Sequence, residues 1–302
     1  MENHNLLIIL GATASGKTRL AVQVAQALGT EIISADSRQV FRKMDIGTGK
    51  DLNEYVVGNQ KIPYHLIDIL DAGERYHVDA FKNDFYRAFE SICAKGKMPI
   101  LCGGTGMYIH SLLQNQPYTA VPVNEALRKD LDLLSKEALQ GMISKSQYLP
   151  LVDLSSKKRL IRAIEIETFL QSNTLEAVER PELRPIVFGL KNEVNLTRSK
   201  ILSRLEERFN QGMIAEVEML LAEGITTDML VFYGLEYKFI AQYLDGLLDY
   251  EALKTRLGIA ICQYAKRQNT FFRKMEKDGV TINWLDGTAE TNQLKQRILE
   301  KV

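Results

Sequence analysis

The sequence predicts an α/β protein in which a parallel sheet is covered by helices and interrupted by a helical insertion. Short apolar runs alternate with helical stretches, as in sheets built from strand–helix–strand units. The stretch 117–181 instead shows only helical spacing of its apolar residues. We therefore predict a core formed by 1–116 and 182–302 and an insertion domain formed by 117–181.

Five short apolar runs predict the strands of this sheet. The first, Leu6 to Leu10, is bounded and rich in Leu and Ile, so a buried parallel strand explains it better than a helix. The other runs lie at 31–36, 98–104, 184–190 and 280–286.

The chain after the fourth strand is predicted to be helical almost to its end. From Leu196 onward the apolar residues follow helical spacing, with amphipathic stretches at 198–222 and 251–276. The sequence thus predicts a helical C-terminal region that ends in the short fifth strand.

A glycine-rich loop follows the first predicted strand and matches the pattern G-x-x-x-x-G-K-[ST]. In such loops the glycines let backbone N–H groups surround phosphate oxygens, the lysine adds positive charge, and the hydroxyl meets Mg²⁺. The spacing after Thr18 predicts a helix whose N-terminus adds its dipole. A plain glycine turn would not explain this strand and helix, so we predict a P-loop NTPase-like core. The predicted phosphate-binding residues are Gly11, Ala12, Thr13, Ala14, Ser15, Gly16, Lys17 and Thr18.

The composition is typical of a soluble globular enzyme. The 302 residues suffice for one large or two modest domains, and 38 basic residues balance 38 acidic ones, so no global charge points to a nucleic acid or a membrane. Three widely spaced cysteines argue against a disulfide framework or a four-cysteine zinc site. Neither a membrane span nor an export signal is indicated, and a reducing cytoplasm is the expected compartment.

A polar cluster begins where the second predicted strand ends. Asp36 closes that strand and is followed by Ser37, Arg38 and Gln39, which places polar side chains at the carboxyl edge of the sheet, where such sheets bind ligands. Asp36 by itself could equally cap a helix. Its position beside the phosphate loop favours chemistry.

The strand predicted at 98–104 also runs into a glycine-rich loop. Gly103 and Gly104 could simply be turn residues, but Thr105 adds a hydroxyl at the same edge. Three loops with groups suited to phosphate binding or proton transfer favour an active site. A P-loop ATPase usually has an acidic Mg²⁺ ligand after a later strand, and none follows this one, although Asp36 could take that role.

Basic residues gather late in the chain. Arg204 and Arg208 are one helical turn apart, and Arg267, Thr270 and Lys274 also share a face. Each group could be solvated helix surface, but three such groups beside a phosphate loop favour a polyanion site. The groups are Lys157, Lys158, Arg159 and Arg162; Arg204 and Arg208; and Lys266, Arg267, Arg273 and Lys274.

Seven segments, in order, resemble the tRNA dimethylallyltransferase family, also called tRNA isopentenyltransferases. They are GATASGKT, ISADSRQVFRKMDIGTGK, YHLIDI, GGTGMY, RLIRAIEI, RLEERF and AKRQNTFFR, and they extend over nearly the whole chain. Members of that family transfer the dimethylallyl group of dimethylallyl diphosphate to N6 of the adenine next to the anticodon, position 37 in tRNAs that read codons beginning with U. The resemblance implies that the loop holds the diphosphate of a prenyl donor and that no ATP is spent.

The resemblance also implies roles for single residues. Asp36 would be the base that helps the weakly nucleophilic adenine amine to attack, with Thr105 near the amine or the donor diphosphate. Lys17, Arg208 and a Mg²⁺ ion near Thr18 would neutralise the leaving diphosphate, and the adenine would be flipped out of its stack. The residues implied in tRNA binding are Asp36, Ser37, Arg38, Gln39, Thr105, Arg128, Arg159, Leu160, Ile161, Arg162, Ala163, Lys266 and Arg267.

Some positions depart from the family pattern. Ala12 replaces a Pro that is common in the family, and Phe41 replaces a common Tyr. Leu235 follows the glycine at the place where the family usually has a G-Y-x-E block. The segment 139–158 is shorter than usual. The last two departures bear on RNA contacts and on the choice of tRNAs.

Three other classes of protein compete with this interpretation. An adenylate isopentenyltransferase would prenylate a free nucleotide with the same loop, whereas the insertion and the late basic helices favour tRNA. A small-molecule P-loop kinase would turn over ATP. A non-catalytic RNA-binding module would have no use for Lys17 and Thr18. The expected partners are tRNA and dimethylallyl diphosphate, with no membrane, and the expected state is a monomer.

Overall fold

The computed structural model of the protein describes residues 4–114, 116–143, 154–176 and 178–302. The chain divides into two compact units: a core unit, Met1–Gln114 with Pro181–Val302, and an inserted unit, Asn115–Arg180. The insertion predicted at 117–181 differs from the inserted unit by two residues at its start and one at its end.

The described part of the chain contains eight strands and twelve α-helices, with 3₁₀ turns at Leu52–Tyr55 and Pro117–Ala120. The strands are β1 (Leu6–Gly11), β2 (Ile32–Ser34), β3 (Val56–Val57), β4 (Gln60–Lys61), β5 (Tyr64–His65), β6 (Ile100–Gly103), β7 (Pro185–Lys191) and β8 (Asn283–Asp286). The helices are α1 (Lys17–Leu28), α2 (Val78–Cys93), α3 (Gly106–Leu113), α4 (Glu125–Asp132), α5 (Lys136–Ile143), α6 (Lys157–Leu170), α7 (Val194–Asn210), α8 (Met213–Ala222), α9 (Thr227–Tyr233), α10 (Leu235–Leu244), α11 (Tyr250–Lys277) and α12 (Thr291–Leu299).

Six strands of the core unit form one parallel sheet in the order β5-β2-β6-β1-β7-β8. β1 lies between β6 and β7, so that Ile8 is opposite Leu101 on one side and Val187 on the other. β3 and β4 pair separately as a short antiparallel hairpin. The predicted parallel sheet covered by helices is confirmed.

Both faces of the sheet are buried. Leu6, Ile8 and Leu10 of β1 pack into one core with residues of α2, α3 and α11, whereas Leu7 and Ile9 pack into a second core with residues of α1 and α12. Successive side chains of a strand point to opposite faces. This two-sided burial explains why the first strand has an uninterrupted apolar run instead of alternating polar residues.

The inserted unit has a small core of its own. Helices α4, α5 and α6 contribute its buried side chains, which are Leu131, Leu139, Ile143, Leu160, Ile161, Ala163 and Ile164. Part of the segment 139–158, which the sequence marks as short, lies outside the described residues.

Several predicted elements have other bounds in the structure. The strand predicted at 31–36 is β2, which ends at Ser34, so Asp36 lies two residues beyond it. The amphipathic stretch 198–222 is two helices, α7 and α8, because Gly212 between them adopts a left-handed φ of 96°. The predicted strand at 280–286 begins only at Asn283. The edge strand β5 was not predicted, since two residues carry no readable periodicity.

Candidate active site

The carboxyl ends of β1, β2 and β6 bring the three polar loops of the sequence together at one edge of the sheet. These strands are adjacent in the order β2-β6-β1. A cavity of about 80 Å³ opens between their loops. Its walls include Thr13, Ala14, Ser15, Gly16, Lys17, Thr18, Asp36, Gln39, Gly103, Arg204 and Arg208. The predicted phosphate loop, Asp36 and Arg208 therefore share one cavity.

The phosphate loop leaves some of its anion-binding groups open, although the N–H groups of Thr13 and Ser15 already have acceptors within the protein. Ala14 and Gly16 adopt left-handed φ values of 59° and 89°, and α1 begins at Lys17 without a side-chain cap or an acidic residue in its first turn. The Oγ of Ser15 is buried and has no hydrogen-bond partner in the described residues. Open N–H groups at a helix N-terminus and an unsatisfied buried hydroxyl are features of a site for phosphate oxygens.

Lys17 lies over this loop, with its Nζ 3.4 Å from the carbonyl oxygen of Ala12. Burial lowers the pKa of Lys17 below its ordinary value, although nearby Cys102 and Asp36 act in the opposite direction. A desolvated ammonium group is stabilised by an anion that enters the cavity. The environment of Lys17 therefore favours a negatively charged ligand.

Gly103 and Gly104 are more than turn residues. A Cβ at Gly103 would lie 2.2 Å from the carbonyl oxygen of Ala35, closer than any real contact. A Cβ at Gly104 would lie 2.5 Å from the Nε2 of Gln268. The absence of side chains at these positions allows the loops after β2 and β6 to pack against each other and against α11.

Asp36 does not cap a helix, because the chain after it forms turns. Its Oδ1 instead accepts a hydrogen bond from the backbone N–H of Arg38, 2.9 Å away. Thr105 holds the other side of this loop: its Oγ1 accepts from the N–H of Ser37 at 3.1 Å, and its N–H donates to the carbonyl of Ala35 at 3.2 Å. One oxygen of Asp36 is thereby fixed within the cavity wall.

The side chain of Arg208, a residue of α7, forms part of the cavity wall. A Cβ at Gly49, where φ is 62°, would lie 1.7 Å from Nη2 of Arg208, so only glycine leaves room for the guanidinium. The Oε1 atom of Glu236 lies 3.7 Å from Nη1 of Arg208. Burial lowers the pKa of Arg208 and raises that of Glu236. One helical turn away, Arg204 forms an ion pair with Asp51.

The loop between Asp36 and Asp51 is held by a carboxylate that the sequence did not single out. Glu216 of α8 accepts hydrogen bonds from the N–H groups of Asp45, Ile46 and Gly47 at 2.8, 2.6 and 3.0 Å. The hydroxyl of Tyr237 donates to the same carboxylate at 2.7 Å. Four donors on one buried carboxylate fix the backbone of this loop.

Lys50 closes the same loop. Its Nζ donates to the carbonyl of Phe41 at 2.7 Å and to Oδ1 of Asp45 at 2.6 Å, and it also pairs with Asp68. A buried lysine with two carboxylates is satisfied, so Lys50 has a structural role here. Only the fold reveals these contacts of the loop, since Asp68 and Glu216 are distant from it in sequence.

Two of the residues implied in tRNA binding are used partly within the protein. The Nε2 of Gln39 donates to the carbonyl of Gly49 at 3.0 Å. The guanidinium carbon of Arg38 lies 5.3 Å from the centroid of the Phe232 ring, at the distance of a cation–π contact.

In the inserted unit, Arg128 and Arg162 surround the buried carboxylate of Glu165. Arg128 donates Nε and an Nη to its two oxygens at 2.9 and 2.8 Å, and Arg162 pairs with it from the same helix. Burial raises the pKa of Glu165, but the bonds from both arginines lower it below its ordinary value. Arg162 also donates to the carbonyl of Val121 at 2.7 Å.

The remaining predicted tRNA-binding residues differ in exposure. The side chains of Leu160, Ile161 and Ala163 lie in the core of the inserted unit, so an external ligand does not reach them. Arg159 is exposed on α6, and Lys266 and Arg267 are exposed on α11. Helical periodicity could have separated the buried positions from the exposed ones.

The cavity wall carries oxygen groups suited to Mg²⁺, a hard cation that takes one or two carboxylates together with phosphate oxygens and water. Asp36, Asp51 and the hydroxyl of Thr18 line it. Among the described residues, no group of three His, Cys, Asp or Glu side chains could hold a metal ion. The residues present therefore fit an ion that depends on a bound diphosphate for some of its ligands.

Two further observations concern the chain as a whole. Cys93, Cys102 and Cys262, which all lie in the described ranges, are unpaired thiols. Over the same ranges, none of the helices combines the length and the apolar character that crossing a membrane would require.

Known proteins resemble this chain over its whole length. The tRNA dimethylallyltransferase 2 of Shewanella sediminis is 45% identical over 302 residues, which cover 99% of each chain. The tRNA dimethylallyltransferase 1 of Porphyromonas gingivalis is 47% identical over 298 residues, 98% of each chain. The solved structure of a tRNA isopentenylpyrophosphate transferase from Bacillus halodurans is similar with a TM-score of 0.72 at 29% identity, covering 99% of this chain and 95% of that one.

The family assignment agrees with the site. The model of the IPP transferase family matches residues 39–275, a range that contains Thr105 and Arg208, while the phosphate loop and Asp36 lie just before it. With relatives of this identity along its full length, the chain belongs to the IPP transferase family, among the tRNA dimethylallyltransferases.

Proposed function

We propose that this protein transfers the dimethylallyl group of dimethylallyl diphosphate to N6 of adenosine 37, beside the anticodon, in tRNAs that read codons beginning with U. The observation that carries the proposal is the shared cavity, in which an open phosphate loop, Arg208 and the carboxylate of Asp36 line the same walls. The names of the similar proteins, which are tRNA dimethylallyltransferases, support the same reaction.

The donor diphosphate is assigned to the phosphate loop. Its charge grows as the allylic C–O bond lengthens, and the loop amides, Lys17 and Arg208 are positioned to neutralise that charge. Because Lys17 is desolvated, its attraction for the leaving group is little screened by water.

The acceptor amine is assigned to the side of Asp36. N6 forms the new C–N bond to the allylic carbon, the bond from that carbon to the diphosphate oxygen breaks, and the proton lost from N6 passes to the carboxylate of Asp36. Its Oδ1 is engaged by the N–H of Arg38, so Oδ2 is the oxygen we assign to the proton. Thr105 keeps the Asp36 loop in place through Ser37.

Mg²⁺ is the proposed cofactor. Thr18 and the carboxylate of Asp51 are the residues that would hold it together with diphosphate oxygens. When bound, the ion would supply further positive charge to the leaving group.

The tRNA is assigned to the exposed basic residues Arg159, Lys266 and Arg267, which are suited to phosphates of the anticodon stem-loop. An adenine inside a stacked loop cannot reach the cavity, so the reaction needs the base to be flipped out. Arg38 and Gln39 are the proposed contacts of that base. A cytoplasmic monomer remains the prediction for compartment and assembly.

The two alternative enzymes find less support. A free-nucleotide isopentenyltransferase and a small-molecule kinase would both use the phosphate loop, but the similar proteins are named for tRNA. The test uses purified protein with Mg²⁺, dimethylallyl diphosphate and a tRNA that carries adenosines at positions 36 and 37. Mass spectrometry of the digested tRNA should detect N6-dimethylallyladenosine at position 37. Prenylation of AMP with no modified tRNA would reject the proposal.

A further inference from the structure

Gln268 lies on the buried side of α11, between two loops of the candidate active site. It is 8% exposed, whereas Lys266 and Arg267, which precede it on the helix, are exposed. A buried side-chain amide needs partners for both its donor and its acceptor. The partners of Gln268 therefore show what this side chain holds together.

The oxygen and the nitrogen of the Gln268 side-chain amide form hydrogen bonds to different loops. The Oε1 of Gln268 accepts a hydrogen bond from the N–H of Thr13 at 2.9 Å, and its Nε2 donates to the carbonyl of Gly104 at 2.8 Å. Thr13 belongs to the phosphate loop, and Gly104 immediately precedes Thr105. One side chain thus joins the loop assigned to the donor to the loop beside the acceptor.

The glycine at position 104 leaves room for this bridge because it has no side chain. A Cβ at Gly104 would lie 2.5 Å from the Nε2 of Gln268 and 3.1 Å from the carbonyl oxygen of Gly11. Any side chain at position 104 would displace the amide. Because Gln268 already occupies the N–H of Thr13, other amides of the phosphate loop must hold the diphosphate.

The bridge continues to Asp36 through Thr105. Hydrogen bonds of Thr105 to Ser37 and Ala35 hold the two neighbours of Asp36. We infer that Gln268 is a positioning residue that fixes the distance between the donor diphosphate and Asp36. This inference rests on the proposed function, since it concerns the alignment of donor and acceptor in that reaction.

A positioning role makes a specific kinetic prediction. A displacement of about 1 Å from the reactive geometry can cost about 10²-fold in rate, whereas the charge that binds the diphosphate would remain. Loss of the bridge should therefore slow the chemical step and leave the affinity for the donor nearly unchanged.

The first variant is Gln268→Met, which keeps the length of the side chain and removes both hydrogen bonds. At saturating tRNA and dimethylallyl diphosphate, we expect the single-turnover rate to fall about 10- to 100-fold. The dissociation constant of dimethylallyl diphosphate with Mg²⁺, measured by calorimetry, should change less than about threefold. The control is Gln263→Met on the exposed face of the same helix, which should change neither quantity.

Gly104→Ala tests the bridge from its other end. Its Cβ should displace the amide of Gln268, so it should reproduce the rate loss, and the double variant should lose little more than either single one. The inference is overturned if Gln268→Met lowers only the melting temperature, with a normal rate per folded enzyme, or if it weakens donor binding while the rate at saturation is normal. The unsubstituted protein is assayed first, and absence of product there would reject the proposed function instead.

Discussion

The phosphate loop of the core unit and the basic helix α6 of the inserted unit are both rich in groups that attract anions, but they use these groups differently. In the phosphate loop, the first turn of α1 has no cap and the hydroxyl of Ser15 has no partner in the described residues. In the inserted unit, Arg128 and Arg162 are paired with the buried Glu165. The first region is open to a ligand, whereas in the second two arginines share a buried carboxylate within the protein.

This difference shows that a basic residue in the sequence is not by itself an anion site. Arg162 was predicted to bind tRNA together with Arg159, but its guanidinium also bonds to Glu165 and to the carbonyl of Val121. Arg159 is exposed on the same helix. The partners of a charge, rather than its presence, decide whether it is available to a ligand.

The largest effect is expected for Asp36→Asn in the core unit. Asparagine keeps the size of the side chain and the bond to the N–H of Arg38 but cannot take a proton, so turnover should fall about 10²- to 10⁴-fold with little change in tRNA affinity. Single-turnover and steady-state kinetics measure this. A near-normal single-turnover rate combined with poor Mg²⁺ affinity would instead make Asp36 a metal ligand.

Lys17→Ala should have the next largest effect and a different kinetic signature. It removes charge that stabilises the diphosphate in both the ground state and the transition state, so the KM for the donor should rise while kcat falls, by about 10²- to 10³-fold in kcat/KM. Initial rates over a range of dimethylallyl diphosphate concentrations provide the measurement. An unchanged KM would show that Lys17 does not contact the diphosphate.

The sequence predicted the strand and the helix on either side of the phosphate loop because their signals are local. The strand, the loop and helix α1 follow one another in the chain, so the spacing of glycine, lysine and threonine within Gly11 to Thr18 is enough to identify the loop. The supports of the site come from far away: Glu216 holds the loop at Asp45 to Gly47, and Gln268 contacts Thr13. Sequence periodicity does not report such distant pairs.

Glu165→Ala tests how much the buried carboxylate stabilises the inserted unit. It removes the carboxylate and leaves Arg128 and Arg162 without their ion pair, so the free energy of unfolding should fall by about 2 to 3 kcal/mol. Chemical denaturation measures this, with Asp130→Ala on the exposed surface of α4 as the control. Equal stability of both variants would mean that the buried ion pairs contribute nothing.

The smallest effect is expected for Arg159→Ala. If Arg159 contacts one phosphate, the slope of log K against log salt for tRNA binding should decrease by about one unit, with normal donor binding. Arg297→Ala, an exposed arginine on α12, is the matched control. An unchanged tRNA affinity and slope would place Arg159 among solvated surface residues.

The central claim is that the phosphate loop holds a prenyl donor and that no ATP is spent. The stoichiometry of the reaction products tests this claim most directly. With Mg²⁺, dimethylallyl diphosphate and tRNA, and with ATP either absent or in excess, we predict one diphosphate released for each adenosine modified and no ADP formed. This result would follow from a loop that holds a prenyl donor. Hydrolysis of ATP stimulated by a small alcohol, with no modified tRNA, would contradict the account.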